Sequence, residues 1–206
     1  MALVKLNNRG VRSATTFGSI SALGEMRFIK KLTASSSATI SFVDGTSDVV
    51  LDNSYKEYLF TFNNIHPATN GTGFQFQLSV DSGSNYNTAI TSTFFRAHHN
   101  EGDTETVLGY DTGLDAAQST SFVKLTADVG ADNDQCFAGE FRLFNPSSTT
   151  FVKHFIAHTI ISEGSDFLRD DYIGGYGNTT SAVDAIQFKF ASGNIDAGDI
   201  CLYGIN

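Results

Sequence analysis

GFQFQLSVD, residues 73–81, alternates strictly between apolar and polar side chains. Successive side chains of a β-strand point to opposite faces, so this stretch predicts a half-buried strand. The predicted core-facing side chains are Phe74, Phe76, Leu78 and Val80. The predicted solvent-facing side chains are Gln75, Gln77 and Ser79.

Similar short apolar stretches, separated by turn residues, recur along the rest of the chain. This spacing is typical of a protein built from many short strands. The predicted strands lie within residues 26–33, 37–43, 55–65, 91–98, 106–112, 135–144, 150–161, 182–193 and 200–206. The segments DSGSNYN, NPSSTT and SGNIDAGD are predicted turns because they are rich in Gly, Asn, Asp and Ser.

The composition favours one all-β domain with an aromatic core. The chain has 206 residues, 18 Phe, no Trp and only two prolines, and 41% of its residues are hydrophobic. That length suits a single domain with a real core. We therefore expect a two-sheet β-sandwich, jelly-roll-like, over residues 25–206, preceded by an extended N-terminal arm at 1–24.

Charge is distributed unevenly between the start of the chain and the rest. Residues 1–31 carry six basic side chains and one acid, a net charge of +5, whereas residues 32–206 carry a net charge of −14. An acidic body repels phosphates, so a nucleic-acid partner is not expected. The basic start has two interpretations, an arm that meets an acidic partner surface or an arm whose charges only keep it soluble.

The cysteines and the lengths of the apolar runs indicate whether the protein is exported or spans a membrane. Cys136 and Cys201 lie in apolar strand patterns and are predicted to be buried thiols, although a disulfide stays open. The start MALVKLNNRGVRS lacks the apolar stretch of a signal peptide, which predicts synthesis without a cleaved leader. No apolar run approaches the ~20 residues of a membrane-spanning helix, so no membrane partner is expected.

Two histidine pairs are candidates for metal or acid–base sites. His154 and His158 lie four residues apart in a predicted strand, which puts the two imidazoles ~13 Å apart, too far for one ion. His98 and His99 adjoin acidic residues, but neighbours in a strand face opposite sides. Both pairs are therefore predicted to be ordinary strand or loop residues.

Acidic residues give no catalytic pattern either. Asp128, Asp132 and Asp134 could offer oxygen ligands to calcium, but they lack the EF-hand spacing and read better as a turn. Asp170 and Asp171 are neighbours that should diverge on a strand, unlike a glycosidase pair. We expect no enzyme activity, no cofactor and no bound metal.

DDYIGGYGN, residues 170–178, is the remaining candidate for a binding surface. Its glycines allow close backbone approach, and its tyrosines could be exposed. Asp170, Asp171, Tyr172 and Tyr176 are therefore predicted to form a surface for a partner protein or a glycan.

Five segments together resemble virion-associated structural proteins of marine tailed bacteriophages. They are MALVKLNNRGVRSATTFGS at 1–19, residues 55–87, TFFRAHHNEGDTETVLGYD at 93–111, FNPSSTTFVKHF at 144–155, and residues 179–205. The resemblance extends over nearly the whole chain. It contains no catalytic motif.

This resemblance implies a structural component of the virion, assembled in the host cytoplasm. The leading expectation is a capsid decoration or cement protein, held outside the shell by its arm and forming a homotrimer. Its partners would be the major capsid protein or other virion proteins. The anchoring residues would be Lys5, Arg9, Arg12 and Phe17. The alternative is a head or tail fibre or appendage protein that binds host surface glycan.

Overall fold

A computed structural model describes residues 26–206, so the predicted arm and its anchoring residues lie outside the described part of the chain. The described residues form thirteen strands and no helix, which confirms the all-β prediction. The strands are β1 (Met26–Thr33), β2 (Ile40–Val43), β3 (Glu57–Pro67), β4 (Phe74–Ser79), β5 (Ile90–Asn100), β6 (Thr106–Tyr110), β7 (Ala116–Ser119), β8 (Val123–Lys124), β9 (Phe137–Phe144), β10 (Lys153–Glu163), β11 (Phe167–Gly177), β12 (Ala185–Phe190) and β13 (Ile195–Ile205).

The strands make two antiparallel sheets that pack face to face. The larger has nine strands in the order β1-β13-β3-β9-β10-β11-β5-β6, with β7 also paired to β5. The smaller has the order β2-β12-β4-β8. The four strands β1-β13-β3-β9 facing β2-β12-β4-β8 follow the order of an eight-stranded jelly roll. Strands β10, β11, β5, β6 and β7 extend one sheet beyond that sandwich.

Phenylalanine rings from both sheets fill the space between them. Phe188 of β12 lies within 6.4 Å, centroid to centroid, of five other rings. Most of these contacts are edge-to-face, the geometry that aromatic pairs prefer. The rings around Phe188 are Phe42, Phe60, Phe62, Phe74 and Phe141, and all of them are buried.

Strand β4 departs from the simple alternation predicted for it at three positions, Gln77, Ser79 and Val80. Ser79 was predicted to face solvent and is buried. Phe74, Phe76 and Leu78 face the core as predicted, but the strand ends at Ser79 and Val80 is 39% exposed. Gln77 was predicted to face solvent and is instead fully buried. Its side-chain amide donates to the carbonyls of Thr120 and Ser121, so a loop covers this face of the strand.

Strand β11 is the main element that the sequence pattern did not predict. The glycine-rich pattern of residues 170–178 predicts a binding segment, yet all of these residues but Asn178 belong to this eleven-residue strand. Gly175 is required here because a Cβ atom would lie 2.5 Å from the Thr91 carbonyl oxygen of β5. The predicted turn SGNIDAGD is also wrong in part, because β13 begins at Ile195.

The two cysteines differ in their surroundings. Cys201 is buried in β13 as predicted, whereas Cys136 precedes β9 and is only partly buried. Both are free thiols. Burial raises the pKa of Cys136, which lowers the amount of reactive thiolate at neutral pH.

Candidate docking face on the nine-stranded sheet

The sheet extension has one face toward the interior and one toward solvent. In β10 the side chains of Ala157, Thr159 and Ile161 are buried, and those between them point outward. In β11 Arg169, Asp171 and Ile173 are likewise buried. The segment between β6 and β9 closes over the inner face, because Thr159 Oγ1 donates to the Leu125 carbonyl at 2.9 Å. In the described part of the chain, no element is placed over the outer face.

Large apolar side chains gather on this outer face. They come from three adjacent strands, β5, β11 and β10, and each is at least 38% exposed. We call these side chains the outer patch; its members are Phe95, Ile156, Ile160, Leu168 and Tyr172. Contiguous exposed apolar groups of this kind mark interaction surfaces on soluble proteins.

A stack of three rings crosses the patch from strand to strand. Tyr172 lies directly opposite Phe95 on one side and His158 on the other. Its ring stacks on Phe95 at 5.2 Å and on the His158 imidazole at 4.2 Å, centroid to centroid, with interplanar angles of 7° and 14°. The register of the sheet therefore holds Tyr172 between two other rings.

The Asp170 carboxylate contacts two of the three rings of this stack, His158 and Tyr172. One carboxylate oxygen lies 2.5 Å from His158 Nε2, and the other accepts a hydrogen bond from the Tyr172 hydroxyl at 3.3 Å. Both partners lie on the same face as Asp170 because they occupy alternate or paired positions of β10 and β11. The network restrains the side chains before any partner binds, which lowers the entropy cost of binding.

Two shallow cavities border the patch. One, of about 300 Å³, lies between Phe95, Ile156 and Tyr172 and reaches Glu140 of β9. The other, of about 520 Å³, lies beside Ile160 and Leu168 and is mostly apolar. A surface with preformed cavities beside apolar side chains can receive protruding side chains of a protein partner.

Stacking also limits what else the patch can bind. A sugar packs its C–H groups on an open aromatic face, and both faces of Tyr172 are already covered by neighbouring rings. Tyr176, the other predicted tyrosine, lies on the same face with its ring tilted against His154 at 6.2 Å. The geometry therefore favours a protein partner over a glycan.

The prediction that Asp171 belongs to the binding surface is wrong, because its side chain is buried. Its side chain is fully buried on the opposite face of β11 from Asp170, because consecutive strand residues point to opposite sides. The Arg169 guanidinium, also buried, has its Nη2 3.7 Å from an Asp171 oxygen. Burial raises the pKa of Asp171 to about 7, while Arg169 and Arg96 act in the opposite direction.

The buried Arg169 and Asp171 belong to an ionic network that connects β11 to the segment covering the inner face. Arg169 Nη1 donates to Asp128 at 2.9 Å and lies 4.0 Å from Glu163. Within residues 26–206, neither Asp171 oxygen has a hydrogen-bond partner. The network lies under the covering segment, and its contacts serve to hold that segment in place.

The other residues weighed in the sequence lie apart from the patch or on its margin. His98 and His99 belong to β5 and contact Glu105 and Asp103 at 3.3 and 3.1 Å. His154 lies in β10, as predicted for a strand histidine. Across residues 26–206, no three His, Cys, Asp or Glu side chains are grouped closely enough to hold a metal ion.

Four of the five patch residues were missed in the sequence, and one signal could have found them. Strand β10 has apolar residues on both faces, since Ile156 and Ile160 alternate with Ala157 and Ile161. A strand with one solvated face normally shows polar residues there. The doubly apolar pattern therefore indicated an outer face with a partner, but it did not reveal that Phe95 and Leu168 lie beside it.

Comparison with known proteins adds no relative. The chain matches no protein-family model, no curated protein and no solved structure. Among the described residues there is no helix of the length and hydropathy needed to cross a membrane.

Proposed function

We propose that this chain is a structural protein of a bacteriophage virion, a decoration or cement protein on the outside of the capsid. The outer patch is the surface that attaches it to the shell. The sequence resemblance supports a place in a bacteriophage virion. The exposed rings and aliphatic side chains of β5, β10 and β11 support attachment through the outer patch. No chemistry beyond binding is needed for this role.

The observation that carries the proposal is the ordered, apolar outer face. Five large side chains stay exposed there, and each would lose water-accessible apolar area against a shell protein, with a gain of about 25 cal/mol per Å² buried. The same contact repeated over many copies on one particle adds avidity. A modest interface per subunit therefore suffices.

The alternative, a fibre or appendage protein that binds host glycan, has weaker support. Its predicted tyrosines lie on one face of β11, but the ring of Tyr172 is covered on both sides and Asp171 is buried. Copy number separates the two roles. Gel densitometry of purified virions should give hundreds of copies for a decoration protein and a few tens or fewer for a fibre.

A substitution within the patch tests the attachment. We expect Ile156→Lys to abolish binding to particles stripped of this protein, because it puts a charge into a surface that becomes desolvated. The matched control is Phe151→Lys, since Phe151 is 68% exposed but lies outside the patch. Equal binding of both variants in a sedimentation assay would refute the patch as the attachment surface.

The predicted anchoring arm needs a separate test, because residues 1–24 lie outside the described part of the chain. A chain lacking residues 2–24 should bind stripped particles more weakly if the arm contributes to attachment. Undiminished binding would eliminate the arm as an anchor and leave the patch as the attachment surface.

A further inference from the structure

The two edges of the nine-stranded sheet are protected very differently. Strand β1 carries Arg27, Lys30 and Lys31 and has a bulge between Phe28 and Lys30. Charges and bulges of this kind discourage another strand from pairing with an edge. The opposite edge strand, β6, has the sequence TVLGY, with no charge, no proline and no bulge.

Among residues 26–206, no strand pairs with the outer side of β6, so its outward backbone groups are open to a partner. Asn100 N–H donates to the Glu105 carbonyl and Asp111 N–H to the Phe94 carbonyl, which sets the hydrogen-bonded positions between β5 and β6. In an antiparallel pair the intervening residues direct their backbone groups away from the partner. Leu108, 79% exposed, is at the centre of these outward positions.

Acidic residues flank β6 at both ends. Glu101, Asp103 and Glu105 precede it, and Asp111 and Asp115 follow it. Arg96 of β5 pairs with Asp111 at 3.2 Å and leaves the other four acids in excess. Asp103 and Glu105 are 91% and 54% exposed. An extended partner along β6 would therefore lie between two negative groups.

This charge pattern disfavours pairing of β6 with β6 of a second copy. An antiparallel pair centred on Leu108 would place Glu105 of each copy opposite Asp111 of the other. Like charges directly opposite each other destabilise a strand pair. A basic extended segment fits the edge instead.

The chain itself contains such a segment in residues 1–12, MALVKLNNRGVR, which have three basic side chains and no acid. Lys5 and Arg12 are seven residues apart, about 23 Å in an extended chain. Glu105 and Asp111 are six residues apart, about 20 Å. The basic side chains of the segment thus extend over about the same length as β6 with its acidic flanks.

We propose that residues 1–12 of one copy add as a strand to the β6 edge of a second copy. Within one copy the segment would have to start from β1 and cross eight strand spacings to lie beyond β6, about 38 Å at ~4.8 Å each. It would also have to move about 13 Å along the strands, since Met26 lies level with Thr91. Residues 13–25 reach at most about 45 Å, so the path leaves little slack.

Strand addition of this kind is directional, from one copy to the next. Each copy donates one segment and accepts another, so the contacts close into a ring if the rotation permits. The homotrimer expected from the sequence is one such ring. The inference concerns the purified chain and holds whether or not the virion role is correct.

Two variants separate donor from acceptor. A chain lacking residues 2–12 keeps the β6 edge but has no donor. Leu108→Pro removes an outward backbone N–H and leaves the bonds between β5 and β6 in place, which edge strands tolerate. Its matched control is Leu108→Ala, which keeps that N–H.

Light scattering on a sizing column should find the unmodified chain and Leu108→Ala oligomeric, and each of the two variants monomeric. An equimolar mixture of the two variants should form a heterodimer, because one supplies the segment and the other the edge. High salt should weaken it. A monomeric mixture, or an unmodified chain that stays monomeric, would overturn the proposal.

A variant with reversed charges in residues 1–12 provides a second test, because Leu108→Pro could be monomeric merely through misfolding. Changing Lys5, Arg9 and Arg12 to Glu leaves residues 26–206 untouched and should also give monomers. If this variant stayed oligomeric, the acidic ends of β6 would not be what holds the segment of residues 1–12. Loss of particle binding with oligomers intact would assign Lys5, Arg9 and Arg12 to attachment to the shell and would overturn the strand addition.

Discussion

Asp171→Asn should change how the stability of this protein depends on pH. The carboxyl group is fully buried, and burial raises its pKa to about 7 from the model-peptide value of 3.8. The native state therefore holds a proton that the unfolded chain releases at lower pH. The stabilisation by that proton is complete below the ordinary pKa and is lost as pH rises through about 7.

The size of the effect follows from the two pKa values. Each pKa unit corresponds to about 1.4 kcal/mol, and between about pH 5 and about pH 8 the unfolded carboxyl is ionised while the folded one passes from neutral to charged. Over that interval the free energy of unfolding of the wild type should fall by about 2–3 kcal/mol because of this group alone. Asn cannot ionise, so the free energy of unfolding of the variant, relative to that of the wild type, should rise by that amount over the same pH interval.

Guanidinium unfolding at several pH values measures this difference. The useful quantity is the change with pH, because the loss of a negative group near Arg169 adds a constant offset. Asp134→Asn, at an exposed position, is the matched control and should follow the wild type. If the difference between Asp171→Asn and the wild type were flat with pH, the carboxyl would not be a buried group of raised pKa.

Three further predictions concern the fold, and denaturant unfolding or circular dichroism checks each of them. Phe188→Ala should cost about 3–5 kcal/mol, because it empties the centre of the aromatic core; a loss below about 1 kcal/mol would mean that the core collapses around the gap. Truncation before Cys201 should prevent folding, because β13 is paired on both sides, with β1 and β3; a native β-sheet spectrum from that truncated chain would contradict this. Gly175→Ala should destabilise by about 1–3 kcal/mol through its clash with Thr91, whereas Gly174→Ala, in a roomier position of the same strand, should cost less.

Local patterns predicted the strands with one buried face. Tyr58, Phe60 and Phe62 occupy alternate positions of the predicted strand 55–65, as do Ile186 and Phe188 of the predicted strand 182–193, and all five are buried. Period-two alternation is a property of neighbouring residues, so it can be read without knowing the fold. The class of fold and the aromatic core follow from it.

Strands without that alternation were harder to predict. β11 has buried charges, Arg169 and Asp171, at inward positions and glycines toward its end. Such residues look like a polar loop when they are read locally. Only the covering segment and the counter-charge of Asp128 make a charged inward face possible.

The sequence by itself determined only that Asp170 and Asp171 would diverge if they lay in a strand, because consecutive strand residues point to opposite sides. Tertiary structure decided which of them faces solvent, and it brought Phe95, Tyr172 and His158 together from three strands. It also left β6 at an edge between acidic residues. Strand order and cross-strand register depend on contacts between residues far apart in the chain, and no local pattern encodes them.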